Sequence, residues 1–121
     1  MGTETNPDDR PISDAEAKLV LWLLRNASVA GELSHLETSI PNLRVVGHCG
    51  CGCPSVDFQA DVEGARDKPI ADAVGQTADG AQVGIILWGR EGTISGLELY
   101  DFGKSVRALP LTGSLRPFRS A

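Results

Sequence analysis

Apolar residues near the start of the chain recur with the spacing of one helix face. Ser13 and Glu16 stand just before this run, as a capping box in which each side chain satisfies the other residue's backbone amide. The pattern predicts a helix from about Asp14 to Ala27, with Leu21 on its charged side. Its predicted apolar stripe comprises Ala15, Leu19, Val20, Trp22, Leu23 and Leu24.

From residue 43 onward the pattern changes to the alternation of strands. Residues 56–63 (VDFQADVE) alternate apolar and polar side chains, which is typical of a half-buried antiparallel strand. Residues 83–88 (VGIILW) are the most hydrophobic run and are expected at the centre of a sheet, with 93–102 as the following strand and 70–77 as a weaker candidate. We predict an α+β fold, with one N-terminal helix packed on a mainly antiparallel meander sheet of four to five strands.

Turn and breaker residues divide the chain further. Asp79-Gly80 predicts a hairpin turn, and Gly84 and Gly96 indicate a bulge or a close approach of backbone inside two strands. The connector 31–43 is expected to hold at most one turn of helix, around Leu33 to Leu36, and Pro41 ends it by disfavouring helical backbone at Ile40.

These signals predict one domain with two polar ends. Residues 1–11 are expected to be a flexible leader, residues 12–110 the single α+β domain, and residues 111–121 a basic, frayed tail. Residues 106–109 are a candidate for a short edge strand.

Charge is distributed unevenly along the 121 residues, whose net charge is −5. Residues 1–103 carry all 16 acids and seven bases, a balance of −9, whereas residues 104–121 carry four bases and no acid, a balance of +4. An acidic body repels phosphate backbones, so we expect no nucleic-acid partner. No apolar run has the length of a membrane span, so we expect no membrane insertion, and the oligomeric state is open.

All three cysteines lie in one short segment, residues 47–54, which reads GHCGCGCP. An odd number of cysteines without a secretory signal argues against a disulfide framework and favours a reducing, cytoplasmic location. Side chains two apart in a strand point to the same side, so Cys49, Cys51 and Cys53 are expected to share a face.

Three interpretations of this segment stay open. Three thiolates with His48 or His35 form an acceptable tetrahedral set for zinc, and thiolates also suit copper(I). A Cys-x-Cys pair is a possible redox couple, with a protonated His48 lowering a thiol pKa. Cysteine is also a small core residue, and alternation with glycine suits a strand that lies close beneath a helix, in which case no cofactor is needed.

The stretch CGCGCPSVDF at residues 49–58 resembles a segment of small uncharacterised bacterial proteins that carry the pattern C-x-C-G-C-P-[ST]-x-x-[FL]. Those chains have an N-terminal helix and a late hairpin. The resemblance implies a bacterial cytoplasmic protein and carries no catalytic residue to this chain.

The remaining polar candidates lie on the outward positions of the predicted strands. The chain lacks the nucleophile elbow, phosphate loop and H-E-x-x-H motifs, so no reaction is indicated and an enzyme is the less favoured class. We therefore predict a non-enzymatic binding or accessory domain that meets a basic protein partner, with a metal- or thiol-handling protein as the alternative. The predicted partner-binding residues are Asp57, Gln59, Asp61, Glu63 and Tyr100.

Overall fold

A computed structural model describes residues 10–29, 33–48, 54–58, 67–90, 92–103 and 106–118. In chain order its elements are β1 (Arg10–Pro11), α1 (Asp14–Asn26), a 3₁₀ helix (Ser34–Asn42), β2 (Arg44–Val45), β3 (Gly47–His48), β4 (Val56–Asp57), β5 (Lys68–Gln76), β6 (Gln82–Arg90), β7 (Thr93–Asp101), a 3₁₀ turn (Thr112–Ser114) and β8 (Arg116–Pro117).

Within these ranges the strands form two antiparallel sheets. The larger has six strands in the order β3-β4-β7-β6-β5-β8, and the smaller pairs β1 with β2. The α+β class is confirmed. The predicted detail of one helix on four to five strands is not, because β1, β2, β3, β4 and β8 have two residues each, too few for hydrophobic periodicity to reveal.

Helix α1 begins with the predicted capping box. The Ser13 hydroxyl accepts from the Glu16 amide at 3.1 Å, and the Glu16 carboxylate accepts from the Ser13 amide at 2.9 Å. The helix buries Leu19, Val20, Leu23 and Leu24 as predicted, whereas Ala15 is exposed and Trp22 is half-buried.

The connector after α1 differs most from the prediction. It is a 3₁₀ helix of nine residues that buries Leu36 and Ile40 against α1. Leu21, predicted on the charged side, is therefore half-buried beneath this connector. Packing explains the difference, since the buried side chains hold a helix that Pro41 alone disfavours.

One face of the larger sheet forms the core. Val83, Ile85 and Leu87 of β6 are each fully buried, and the register places Leu97 and Leu99 of β7 beside them. The neighbouring positions of β5 are the small residues Ala71 and Ala73, which allow α1 to approach the sheet closely. Alternation assigns positions 84, 86 and 88 of β6 and 96, 98 and 100 of β7 to the second face, away from α1. Beyond the register shift between Trp88 and Gly89, Ile94 is again buried in the core.

The outer edge of β5 is covered by three segments. The amide of Asp72 donates to the Ala27 carbonyl, β8 pairs with residues 73 and 74, and the amide of Leu111 donates to the Gln76 carbonyl. The edge strand predicted at residues 106–109 is thus wrong, and the strand lies at Arg116–Pro117. Proline is tolerated there because an edge position does not require its missing amide hydrogen.

Both Arg10–Pro11 and Arg116–Pro117 are paired strands, so the sheets extend beyond the predicted domain boundaries of 12 and 110.

Candidate functional site

A pocket of about 300 Å³ opens on the second face of the larger sheet. Strands β4, β7 and β6 lie side by side there, and the register sets Asp57 opposite Gly96 and Gly96 opposite Trp88. The pocket therefore has a carboxylate on one side, an indole on the other, and a residue without a side chain between them. The lining residues are His48, Ser55, Val56, Asp57, Asp67, Trp88, Gly96, Leu97 and Glu98.

Gly96 creates the space at the centre of this pocket. A Cβ atom at this position would lie 3.6 Å from Asp57 Oδ1 and 4.0 Å from Trp88 Cβ. Those are ordinary contacts, so an alanine fits the backbone while a larger side chain fills the pocket. Gly47 leaves less room on the other side of Asp57, where a Cβ would lie 3.1 Å from Oδ2. The bulge predicted at Gly96 corresponds to the register shift between Trp88 and Gly89 of β6, which pair with Gly96 and Ile94 of β7.

Two of the pocket carboxylates are oriented by hydrogen bonds from neighbouring strands. Trp88 Nε1 donates to Glu98 Oε1 at 2.9 Å, which fixes the indole along the pocket wall. Arg90 Nε donates to Asp67 Oδ1 at 2.6 Å, and the arginine side chain is only 8 % exposed. A charge-assisted bond of this kind holds Asp67 at the pocket rim.

An aromatic pair continues the second face beyond Glu98. The Tyr100 ring covers Gly84 of β6 so closely that a Cβ there would lie 2.0 Å from Tyr100 Cζ. The sequence predicts a bulge or a close approach of backbone at Gly84, whereas the structure places an aromatic side chain against this residue. Phe102 contacts Tyr100 with ring centroids 5.5 Å apart and an interplanar angle of 59°. We call Tyr100 and Phe102 the aromatic platform; Phe102 is 53 % exposed.

The environment of Tyr100 is acidic as well as partly buried. Burial first, and then the negative charges of Asp72 and Glu98, raise the pKa of Tyr100 above its ordinary value of 10.0. The tyrosine is therefore a neutral hydroxyl at physiological pH, and Glu98 is close enough to act on both Trp88 and Tyr100.

The predicted partner-binding residues divide into two groups. Asp57 and Tyr100 lie on the second face, and Asp57 is exposed while Val56 and Phe58 on either side of it are buried. Gln59, Asp61 and Glu63 lie outside the described residues.

The predicted metal ligands divide in the same way. His48 lies exposed at the end of β3 and lines the pocket, and His35 is exposed in the 3₁₀ helix. Cys49, Cys51 and Cys53 lie outside the described residues. In the described ranges no group of three or more His, Cys, Asp and Glu side chains is placed to hold a metal ion.

Three pocket residues were missed by sequence reasoning. Trp88 was expected only as part of the hydrophobic run at residues 83–88, and Glu98 and Asp67 were given no role. The signal for Trp88 and Glu98 was present, because the buried positions 83, 85, 87, 97 and 99 place their even-numbered neighbours 88 and 98 on the second face. Their placement beside Asp57 depends on strand order, which periodicity does not supply.

Comparison with known proteins gives no family for this chain: no protein-family model, no curated protein and no solved structure matches it. Among the described residues, no helix combines the length and apolar character needed to cross a membrane.

Proposed function

We propose that this chain is a non-enzymatic binding domain whose pocket receives a cationic side chain of a basic protein partner. The observation that carries the proposal is the pairing of an indole wall with carboxylates around the space at Gly96. Both the indole and the carboxylates would stabilise a bound organic cation, through cation–π attraction to Trp88 and charge attraction to Asp57 and Glu98.

The arrangement favours arginine over lysine as the bound side chain. A guanidinium is planar, stacks on an aromatic face and offers donors in a fixed fork to a carboxylate, whereas an ammonium is a compact and strongly hydrated charge. Trp88 is already oriented by Glu98, so less side-chain freedom is lost when a flat group stacks on it.

Long-range electrostatics supports the same class of partner. Residues 1–103 carry a balance of −9 from 16 acids and seven bases, which attracts a basic protein and repels an acidic one. The odd number of cysteines is consistent with a reducing compartment, so we propose a cytoplasmic location.

Removal of the pocket charges is expected to weaken binding of a capped Gly-Gly-Arg-Gly-Gly peptide in an NMR chemical-shift titration. We expect Asp57→Asn and Glu98→Gln each to reduce affinity by about fivefold at low ionic strength, because each removes one attractive charge. Gly96→Val is expected to abolish binding without changing the net charge, because it fills the space between Asp57 and Trp88.

The matched control is Asp14→Asn, which changes the net charge equally on the exposed first turn of α1. A peptide with citrulline in place of arginine keeps the shape of the side chain without its charge. If Asp14→Asn weakens binding as much as Asp57→Asn, or if the citrulline peptide binds equally well, the proposal is wrong.

A second candidate function is a metal- or thiol-handling protein that uses Cys49, Cys51 and Cys53. The observation that favours it is the antiparallel pairing of β3 with β4, which sets His48 opposite Val56 and makes residues 49–55 the connection between adjacent strands. His48, one of the residues that line the pocket, is thus next in sequence to Cys49, and zinc or copper(I) would be the cofactor.

Elemental analysis of protein purified without chelator, with a thiol count before and after denaturation, tests this candidate. It predicts about one metal ion per chain and thiols protected until the metal is removed. Substoichiometric metal, with three thiols that react only after unfolding, would overturn it and indicate packed cysteines.

A further inference from the structure

The aromatic platform lies on the same sheet face as the pocket and at a fixed distance from it. Gly96 and Tyr100 are four residues apart on β7, which corresponds to about 13 Å along a strand. Glu98 lies between them, bonded to the Trp88 indole on one side and acting on the Tyr100 hydroxyl on the other. The two features therefore form one continuous surface.

The platform presents apolar area that the sheet does not cover. Phe102 is 53 % exposed although its ring contacts Tyr100, and Tyr100 is held flat against Gly84. A rigid aromatic pair of this kind loses little side-chain entropy when another ring or aliphatic chain packs on it. The carboxylates of Asp72 and Glu98, whose charges act on Tyr100, give the platform the same acidic character as the pocket.

We propose that the partner is an extended segment that carries a large apolar side chain four positions from its cationic side chain. In an extended chain, side chains four residues apart point to the same side and lie about 13 Å apart, which matches the distance from the pocket to the platform. The cation enters the pocket, and the apolar side chain packs on Tyr100 and Phe102. This inference rests on the proposed function of the pocket.

Fluorescence-anisotropy titrations with labelled capped peptides test the spacing. We compare Arg-Gly-Ser-Gly-Phe with Arg-Gly-Ser-Gly-Ser, with citrulline-Gly-Ser-Gly-Phe and with Arg-Phe-Gly-Ser-Gly, which moves the ring next to the cation. Arg-Gly-Ser-Gly-Phe is expected to bind about tenfold more tightly than Arg-Gly-Ser-Gly-Ser and Arg-Phe-Gly-Ser-Gly, because a well-packed aromatic contact contributes affinity of this size.

Phe102→Ala is expected to remove this tenfold advantage, while Leu111→Ala leaves it unchanged. Leu111 is a matched control because it is 52 % exposed, like Phe102, and lies in the segment that covers the outer edge of β5, two strands away from β7. Retention of the tenfold advantage in Phe102→Ala would overturn the inference.

The outcomes separate this inference from the proposed function. If the three arginine peptides bind equally well and only the citrulline peptide binds more weakly, the proposed four-residue spacing is wrong, while the proposed binding of a cation in the pocket still holds. Equal binding of the citrulline peptide would overturn both. If sedimentation shows a dimer that Phe102→Ala dissociates, a second copy of the chain occupies the platform, and the inference is wrong.

Discussion

Replacement of Glu16 by glutamine is expected to lower the free energy of unfolding by about 2 kcal/mol at pH 7. Glu16 is only 4 % exposed, and its carboxylate accepts from both terminal nitrogens of Arg10, at 2.9 and 2.8 Å, as well as from the Ser13 amide. Glutamine keeps the volume and one acceptor but loses the charge that matches the guanidinium. The Arg10–Glu16 ion pair joins β1 to the start of α1, so weakening this pair loosens both elements.

The pH dependence of this effect has a definite sign. Burial alone raises the pKa of Glu16, but the hydrogen bonds and charge of Arg10, together with the hydrogen bonds of Ser13, outweigh it and hold the pKa below its ordinary value of 4.5. A depressed carboxyl pKa stabilises the fold above the unfolded value and ceases to do so as the pH falls through the folded value. The difference between wild type and Glu16→Gln is therefore expected to narrow below about pH 4.5.

Urea unfolding at several pH values measures this difference. Arg25→Gln is the control, because Arg25 makes the same two-bonded pair with Glu37 at an exposed position and is expected to change stability little. Equal losses for the two variants, or a loss for Glu16→Gln that persists at pH 3, would contradict the account of the Arg10–Glu16 pair.

Gly84→Ala is expected to lower the free energy of unfolding by about 2 kcal/mol, although alanine normally suits a strand better than glycine. The added Cβ would lie 2.0 to 2.5 Å from three atoms of the Tyr100 ring, so the ring must leave its place on β6. In a Tyr100→Ala background the same substitution is expected to cost almost nothing. The double-mutant cycle therefore predicts strong coupling between positions 84 and 100.

An independent readout is available because Tyr100 is the only tyrosine of the chain. Its phenol pKa is raised in the fold, so ultraviolet titration of the wild type should give a value above 10.0, and Gly84→Ala should move it back toward 10.0. The control is Gly113→Ala, where a Cβ meets nothing within 4 Å. A loss for Gly113→Ala equal to that for Gly84→Ala would show that glycine flexibility, and not the ring contact, determines the effect.

Local signals in the sequence predict the parts of this fold that depend on neighbours in the chain. The capping box requires only Ser13 and Glu16, and the hydrophobic run at residues 83–88 by itself identifies the central strand β6. Both were predicted correctly. The Asp79-Gly80 turn is also predicted from neighbouring residues alone, and Gly80 has the positive φ, 87°, that favours glycine in such a turn.

The features that were missed depend on contacts between distant segments. The 3₁₀ helix at Ser34–Asn42 is held by packing on α1, and β8 is defined by its pairing with β5. Trp88, Gly96 and Asp57 converge only because β4, β7 and β6 are neighbours in this order. Asp57 and Tyr100 were predicted as binding residues from the sequence, but the register that brings Asp57 beside Trp88 across three strands was not.

The central claim, that a cation binds between Trp88 and the pocket carboxylates, is tested most directly by the fluorescence of Trp88. The chain has two tryptophans, so Trp22→Phe leaves Trp88 as the only indole. Titration of this variant with the Gly-Gly-Arg-Gly-Gly peptide should give a saturable change in emission that is absent with the citrulline peptide and lost in the Asp57→Asn/Glu98→Gln double variant. Emission that does not respond to the arginine peptide, or that responds equally in the double variant, would contradict the account.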